Sequence, residues 1–220
     1  VIDWLAAGLN PGVATIFDIT DPRIGRGDSE FDIRHLLNVN GIWDLPVGRG
    51  RAFGSDMPKW LDAFIGGWTV SGIFTARSGL PASGATGALT LSLLNTNLPV
   101  LIGDPSTFAV NIRDEGTGIQ FFADKAAVQA ALRYPRHGES GTRNIFRNEG
   151  FFRLDTALSK KFAMPWSENH RLTLRAEAYN LTNSHFFGIP NLTLGSTNFG
   201  RLTTSQSTAR VMQFALRYDF

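Results

Sequence analysis

The histidines His35, His137, His170 and His185 are the first residues to weigh for chemistry. A zinc or transition-metal site needs histidine close to cysteine, carboxylate or a second histidine at ligand spacing. No such spacing occurs, so these four belong to solvated loops or strand ends. The complete absence of cysteine excludes thiol catalysis, cysteine zinc sites and disulfide scaffolds together. Gly48, Gly50 and Gly54 imitate a phosphate loop, but no Lys-Ser/Thr ending follows and no parallel strand–helix unit surrounds them. Asn180-Leu181-Thr182 and Asn191-Leu192-Thr193 match glycan acceptors, which matter only in a eukaryotic secretory route. Serine, histidine and aspartate are present without a nucleophile elbow. The chain is expected not to be an enzyme and to hold no cofactor or metal.

What remains is charge in rows. Arg153, Lys161, Arg171, Arg175 and Arg217 stand against Asp155, Glu177 and Asp219. Spacings of two put such residues on one face of a strand. They form either a solvated wall cross-paired by salt bridges or a contact surface for an anionic solute. Arg175 and Glu177 are the candidates for that contact.

The chain has 220 residues, 43% hydrophobic and 18% charged. Soluble domains carry about 25% charge. Many aromatics and a net charge of +2 argue against disorder and against a nucleic-acid footprint. Coiled coil and collagen are excluded by composition. No apolar run reaches the roughly 18 residues of a membrane-spanning helix. The sequence starts at Val1 with no charged, then apolar, leader, so no signal peptide is expected within it.

Period-two alternation predicts five strands. The first runs from Ile33 to Leu45, with Leu37, Val39, Gly41, Trp43 and Leu45 on one face. Asn38, Asn40 and Asp44 take the other, and Leu36 and Ile42 are exceptions. The second runs from about Ile65 to Leu80, with Trp68, Val70, Gly72, Phe74 and Ala76 opposed to Thr69, Ser71, Thr75 and Arg77. The third spans Phe152 to Phe162, the fourth centres on Leu172 to Tyr179, and the last spans Arg210 to Phe220. A short helix is expected near 124–132, with Asp124 as its N-cap.

Alternation alone also fits a soluble sandwich. The connections add a second signal: they run long (1–32), short (47–63), very long (81–150), very short (164–169) and long (182–208). Short periplasmic turns alternating with long external loops mark an outer-membrane barrel. Trp43, Trp68, Phe162, Tyr218 and Phe220 all fall at the short-turn side on the apolar face, as in an aromatic girdle against outer-membrane lipid. Lys160 is the one charge on that face, within two residues of the girdle, where its stem can snorkel.

Several blocks stand out: Phe31-Asp32-Ile33-Arg34-His35, Leu45-Pro46-Val47-Gly48-Arg49-Gly50 and Gly66-Gly67-Trp68-Thr69-Val70-Ser71-Gly72. Leu154-Asp155, Leu158-Ser159-Lys160-Lys161-Phe162 and Arg175 through Asn183 follow, then Phe199-Gly200-Arg201 and Arg210 through Phe220. Together they resemble TonB-dependent outer-membrane transporters, in particular the C-terminal barrel of Oar-like receptors, whose plug follows a carboxypeptidase-regulatory-like domain. The resemblance covers about Phe31 to Phe220 and is weakest between 83 and 140.

The resemblance implies an all-β, antiparallel transmembrane barrel segment in the bacterial outer membrane. Residues 1–32 would be an external loop and 33–220 the barrel segment, with a long external loop at 81–150. About five or six meander strands would be part of a larger 22-stranded plugged barrel. The implied function is energised uptake of an unknown solute, with a plug domain and TonB as partners through a preceding segment and no nucleic acid. The charged rows would face the lumen, Arg153, Asp155, Arg175, Glu177 and Arg217 among them, open to a plug or solute. The family also implies that the barrel-assembly machinery reads the last strand, whose Met212, Phe214, Leu216, Tyr218 and Phe220 match an assembly signal.

Two other functions fit the sequence. One is a passive structural or adhesive outer-membrane barrel. The other is a soluble glycan-binding β domain using the loop aromatics Phe121, Phe122, Phe186 and Phe187.

Overall fold

The computed structural model describes residues 23, 26–87, 98–139, 141–164 and 166–220. Most of the expected loop 1–32, and the stretch holding Asn95 and Asn97, lie outside the described residues.

The first elements are β1 (Leu36–Asp44), α1 (Lys59–Ile65), β2 (Trp68–Arg77), β3 (Pro81–Ala82), β4 (Val100–Leu101), β5 (Val110–Asp114) and β6 (Ile119–Phe122). Then come α2 (Lys125–Ala130), β7 (Leu132–Arg133), β8 (Phe146–Arg147), β9 (Phe151–Met164), β10 (Ser167–Tyr179), β11 (Arg201–Leu202) and β12 (Val211–Asp219). The fold is all-β and antiparallel, and no helix among the described residues is long and apolar enough to cross a membrane.

Contacts divide the chain into two compact units. One comprises Leu36–Arg77, Phe152–His185 and Thr208–Phe220. It is a five-stranded sheet in the order β1-β2-β9-β10-β12, and these are the five strands the alternation predicts. Its registers keep like with like. Val39 opposes Phe74 and Trp43 opposes Val70. Phe162 opposes Leu172, which opposes Tyr218 in turn, while Leu174 opposes Leu216 and Ala176 opposes Phe214. A slip of one residue would send each of these side chains to the other face. β1 and β12 are the two edges of the sheet.

One element of this unit is not anticipated. Ile65 does not open the second strand; it ends helix α1, and β2 begins at Trp68. Pro58 starts the helix, its carbonyl accepting from the Leu61 and Asp62 amides at 3.0 Å each. Gly66 and Gly67 end it, Gly67 with a φ of 69° that a Cβ would strain.

The other unit comprises Val1–His35, Ser78–Phe151 and Phe186–Ser207. These are the segments that enter β1, join β2 to β9, and join β10 to β12. Residues 81–150, the least regular part of the sequence, supply most of its structure. β3 pairs with β8, β4 with β7, and β6 lies between β5 and β11. The Asp124 side chain caps α2 as expected, accepting from the Ala127 amide at 3.0 Å. The core is phenylalanine: Phe122 stacks on Phe199 with centroids 5.6 Å apart and meets Phe121 edge-on at 5.1 Å. Phe146 joins them, with Val128, Leu132, Leu192 and Leu194 around the rings.

This core corrects one expectation. Phe121 and Phe122 are 2% and 0% exposed, so they pack the interior and offer no stacking platform to a glycan. Phe186 packs on Phe151, with ring centroids 4.9 Å apart, and Phe187 packs against the core. Sequence pattern missed this because the rings are gathered from segments some 80 residues apart.

Candidate functional site

The sheet of β1, β2, β9, β10 and β12 has two faces of opposite chemistry. Leu37, Val39, Trp43, Phe74, Leu158, Phe162, Leu172, Leu174 and the even-numbered side chains of β12 share one face. Among the described residues, its own unit covers little of it beyond Lys160. Trp43 is 61% exposed, Phe214 74% and Leu216 67%. Among the described residues, every buried hydrophobic side chain except Ala178 belongs to the other unit. A sheet with this much apolar surface and so little core needs an apolar solvent, because soluble monomers rarely expose patches above a few hundred Å².

The aromatics concentrate at the end where β1 leads to β2 and β9 leads to β10. Trp43, Trp68 and Phe162 lie there on the apolar face, and Tyr218 stacks on Phe220 with centroids 6.0 Å apart. Trp60 of α1 and Trp166 of the β9–β10 turn are at the same end, so all four described tryptophans gather there. Sequence reading missed these last two because neither sits in an alternating strand. His170 lies near the start of β10, and its Nδ1 is 2.6 Å from the Tyr218 hydroxyl.

Lys160 is on the apolar face, opposite Leu174. Its ammonium sits 5.7 Å from the Trp68 ring centroid and 5.1 Å from that of Phe162. It donates to the Asp62 carbonyl at 3.0 Å and to the Gly66 carbonyl. The helix C-terminus and two rings thus satisfy a charge that would cost roughly 2–4 kcal/mol bare at mid-membrane.

The opposite face is polar. Arg153 donates to Asp155 at 2.8 Å, Arg175 pairs with Glu177 at 2.6 Å and Arg217 with Asp219 at 2.7 Å. Sequence reasoning expected these charges to pair across strands. They pair along strands instead, because each acid lies two residues beyond a base on the same face. The register sets Arg171 opposite Asp219, but Asp219 pairs with Arg217, and the Arg175–Glu177 pair has neutral residues opposite. Arg175 faces Ser159 and Ala215, and Glu177 faces Ala157 and Gln213. Tyr179, absent from the expected set, closes the row by donating to Glu177 at 3.2 Å. A concavity of about 650 Å³ on this face is lined by Ile42, Ile73, Asp155, Arg175, Glu177 and Tyr179, among others. Smaller concavities on the same face take in Lys161, Arg217 and Asp219. No three His, Asp or Glu side chains among the described residues converge as a metal-ligand set.

A sheet that is apolar on one face, concave and polar on the other, and ringed by aromatics at one end has the construction of a barrel wall. The family model for the outer membrane beta barrel domain matches residues 3–213. The chain belongs to the outer membrane β-barrel domain family. No curated protein and no solved structure matches it. Membership places this outer-membrane barrel chain in the bacterial outer membrane. Lipid is then what the apolar face of the barrel wall meets. The sheet, open at β1 and β12, is a partial barrel among the described residues.

Proposed function

We propose that this outer-membrane barrel is part of an Oar-like TonB-dependent receptor that takes up a solute with energy from the inner membrane. The observation that carries the reading is the concavity on the sheet's charged face, where Asp155 and the Arg175–Glu177 pair stand as they would on a lumen wall. In this reading Arg153, Asp155, Arg175, Glu177 and Arg217 face the lumen. A plug domain and the segment that contacts TonB precede Val1 in a longer protein.

The strands' polar faces carry Arg77, Arg153, Lys161, Arg171, Arg175 and Arg217 against Asp44, Asp155, Glu177 and Asp219. Two positive charges in excess favour an anionic solute or an acidic plug surface. Met212, Phe214, Leu216 and Tyr218 on β12, with Phe220 just past its end, present one apolar edge for the barrel-assembly machinery.

The test compares cells with and without the gene by untargeted mass spectrometry of the spent medium, with and without a protonophore. Energised uptake predicts a solute depleted only by the gene-bearing cells and only without protonophore. Depletion that survives the protonophore would mean a passive pore. A second reading, a passive structural or adhesive barrel, draws on the connections that fold into a packed unit of their own. It predicts no solute difference at all.

A further inference from the structure

Helix α1 has no interior. None of its residues is buried, and Trp60, Phe64 and Ile65 are exposed at 66%, 72% and 45%. Trp60 and Phe64 are four residues apart and so lie on one face. A helix of seven residues is far below the roughly 12–15 that hold together in water. Something besides its own hydrogen bonds must keep it in place.

Its ties all run to neighbours of the sheet's aromatic end. The Trp68 indole donates to the Phe64 carbonyl at 2.8 Å. Lys160 donates to the carbonyls of Asp62 and Gly66, which lie at the end of the helix. Asp62 accepts from the Arg49 amide at 2.8 Å, which fixes the preceding loop. Trp68 and Lys160 both belong to the apolar face, so the helix is docked at the end of the surface that lipid covers. Exposed Arg49, Arg51 and Lys59 flank it, and Phe53 is exposed beside them. Aromatics with basic residues at the end of an apolar surface match the headgroup–acyl boundary of a bilayer with anionic lipid.

We propose that α1 is an interfacial anchor: Trp60 and Phe64 insert into the phospholipid boundary beside the barrel wall, and Lys160 is the tether that holds the helix there. The occupant is lipid because the helix is tied to Trp68 and Lys160, residues of the face that lipid covers, and presents Trp60 and Phe64 bare beside them. This inference is independent of whether the barrel transports anything.

The chain lacks cysteine, so one introduced thiol gives one label. Phe64→Cys, carrying an environment-sensitive fluorophore, is reconstituted in the full chain into phosphatidylethanolamine–phosphatidylglycerol vesicles. Nitroxide-labelled lipids then report depth. Ala63→Cys is a second site in case loss of the Phe64 ring impairs folding, Leu216→Cys a mid-wall reference and Glu115→Cys an aqueous one. The residue-64 probe should be quenched at least about twofold more by nitroxide at the headgroup or high on the acyl chain than near the chain end, with the opposite order at residue 216. Adding Lys160→Met should remove most quenching at residue 64 and leave residue 216 unchanged. Quenching at residue 64 no greater than at residue 115 would overturn the anchor. So would a blue-shifted probe that no lipid nitroxide quenches, since a protein surface would then cover the helix. Unchanged quenching in Lys160→Met would overturn the tether.

Discussion

Asn180 is the sharpest point at which to perturb the sheet. It follows the last residue of β10, is 3% exposed, and adopts a φ of 54°. Its Nδ2 donates to the Ser184 carbonyl at 3.1 Å and to the Thr208 carbonyl at 2.9 Å. Its Oδ1 accepts from the Ser184 amide at 2.9 Å. One side chain therefore closes the turn after β10 and pins the segment that leads into β12. Replacing it with alanine breaks these three bonds to main-chain groups, each worth about 1 kcal/mol net. Alanine at positive φ adds about 1 kcal/mol of backbone strain. Asn180→Ala should thus cost about 4 kcal/mol and Asn180→Gly about 3, since glycine accepts that φ without strain. Denaturant unfolding of the vesicle-inserted chain, followed by tryptophan emission, measures both. A loss below about 1 kcal/mol for Asn180→Ala, or no gap between the two variants, would refute this account of the turn.

Four further outcomes follow from named contacts. Phe122→Ala should cost about 3–5 kcal/mol in the unit built around that ring, read as faster limited proteolysis within residues 98–139. Glu139 is held down to about 2, chiefly by the Arg133 side chain and then by the Arg136 amide. Because its folded value lies below the unfolded one, its contribution is complete above about pH 4.5 and is lost as pH falls toward 2. Glu139→Gln should flatten the acid limb of stability in that window, measured by pH-dependent protease resistance. Arg175→Ala should change uptake of the depleted solute while barrel assembly, read by heat-modifiable gel mobility, stays intact; equal uptake would favour a plain solvated wall. Deleting Phe220 should reduce membrane insertion of the full-length protein, measured by outer-membrane fractionation.

The sheet was legible because period-two alternation is local: each strand carries its own record of which face meets lipid, and neighbours only confirm it. Lys160 could be placed at the girdle from its offset to Phe162 alone. What covers Lys160 could not, because α1 lies about 100 residues earlier and has no alternation to announce it. The same limit hid the unit of long connections. Phe121, Phe122, Phe146 and Phe199 belong to two short strands and a loop, and in sequence they resemble exposed loop aromatics. The charged rows were half legible. The face was right, but along-strand pairing depends on side-chain reach of two residues, and the registers set neutral residues opposite Arg175 and Glu177.

The low charge of the chain and the missing core of its five-stranded sheet have one cause. A sheet in water must find a second layer to bury its apolar face, and here the strands that would need one have none. The phenylalanines that could have served are spent in the other unit, around Phe122. That division follows the solvent. The connections build a core from rings and short strands, while the sheet, with lipid on one side, leaves Phe214 and Leu216 bare. The exception tests the rule. Among the described residues Lys160 alone carries a charge onto the apolar face, and there the protein supplies two carbonyls and two rings in place of the water that lipid withholds. Lys160→Met should therefore be tolerated by the sheet itself and felt only by the helix it holds.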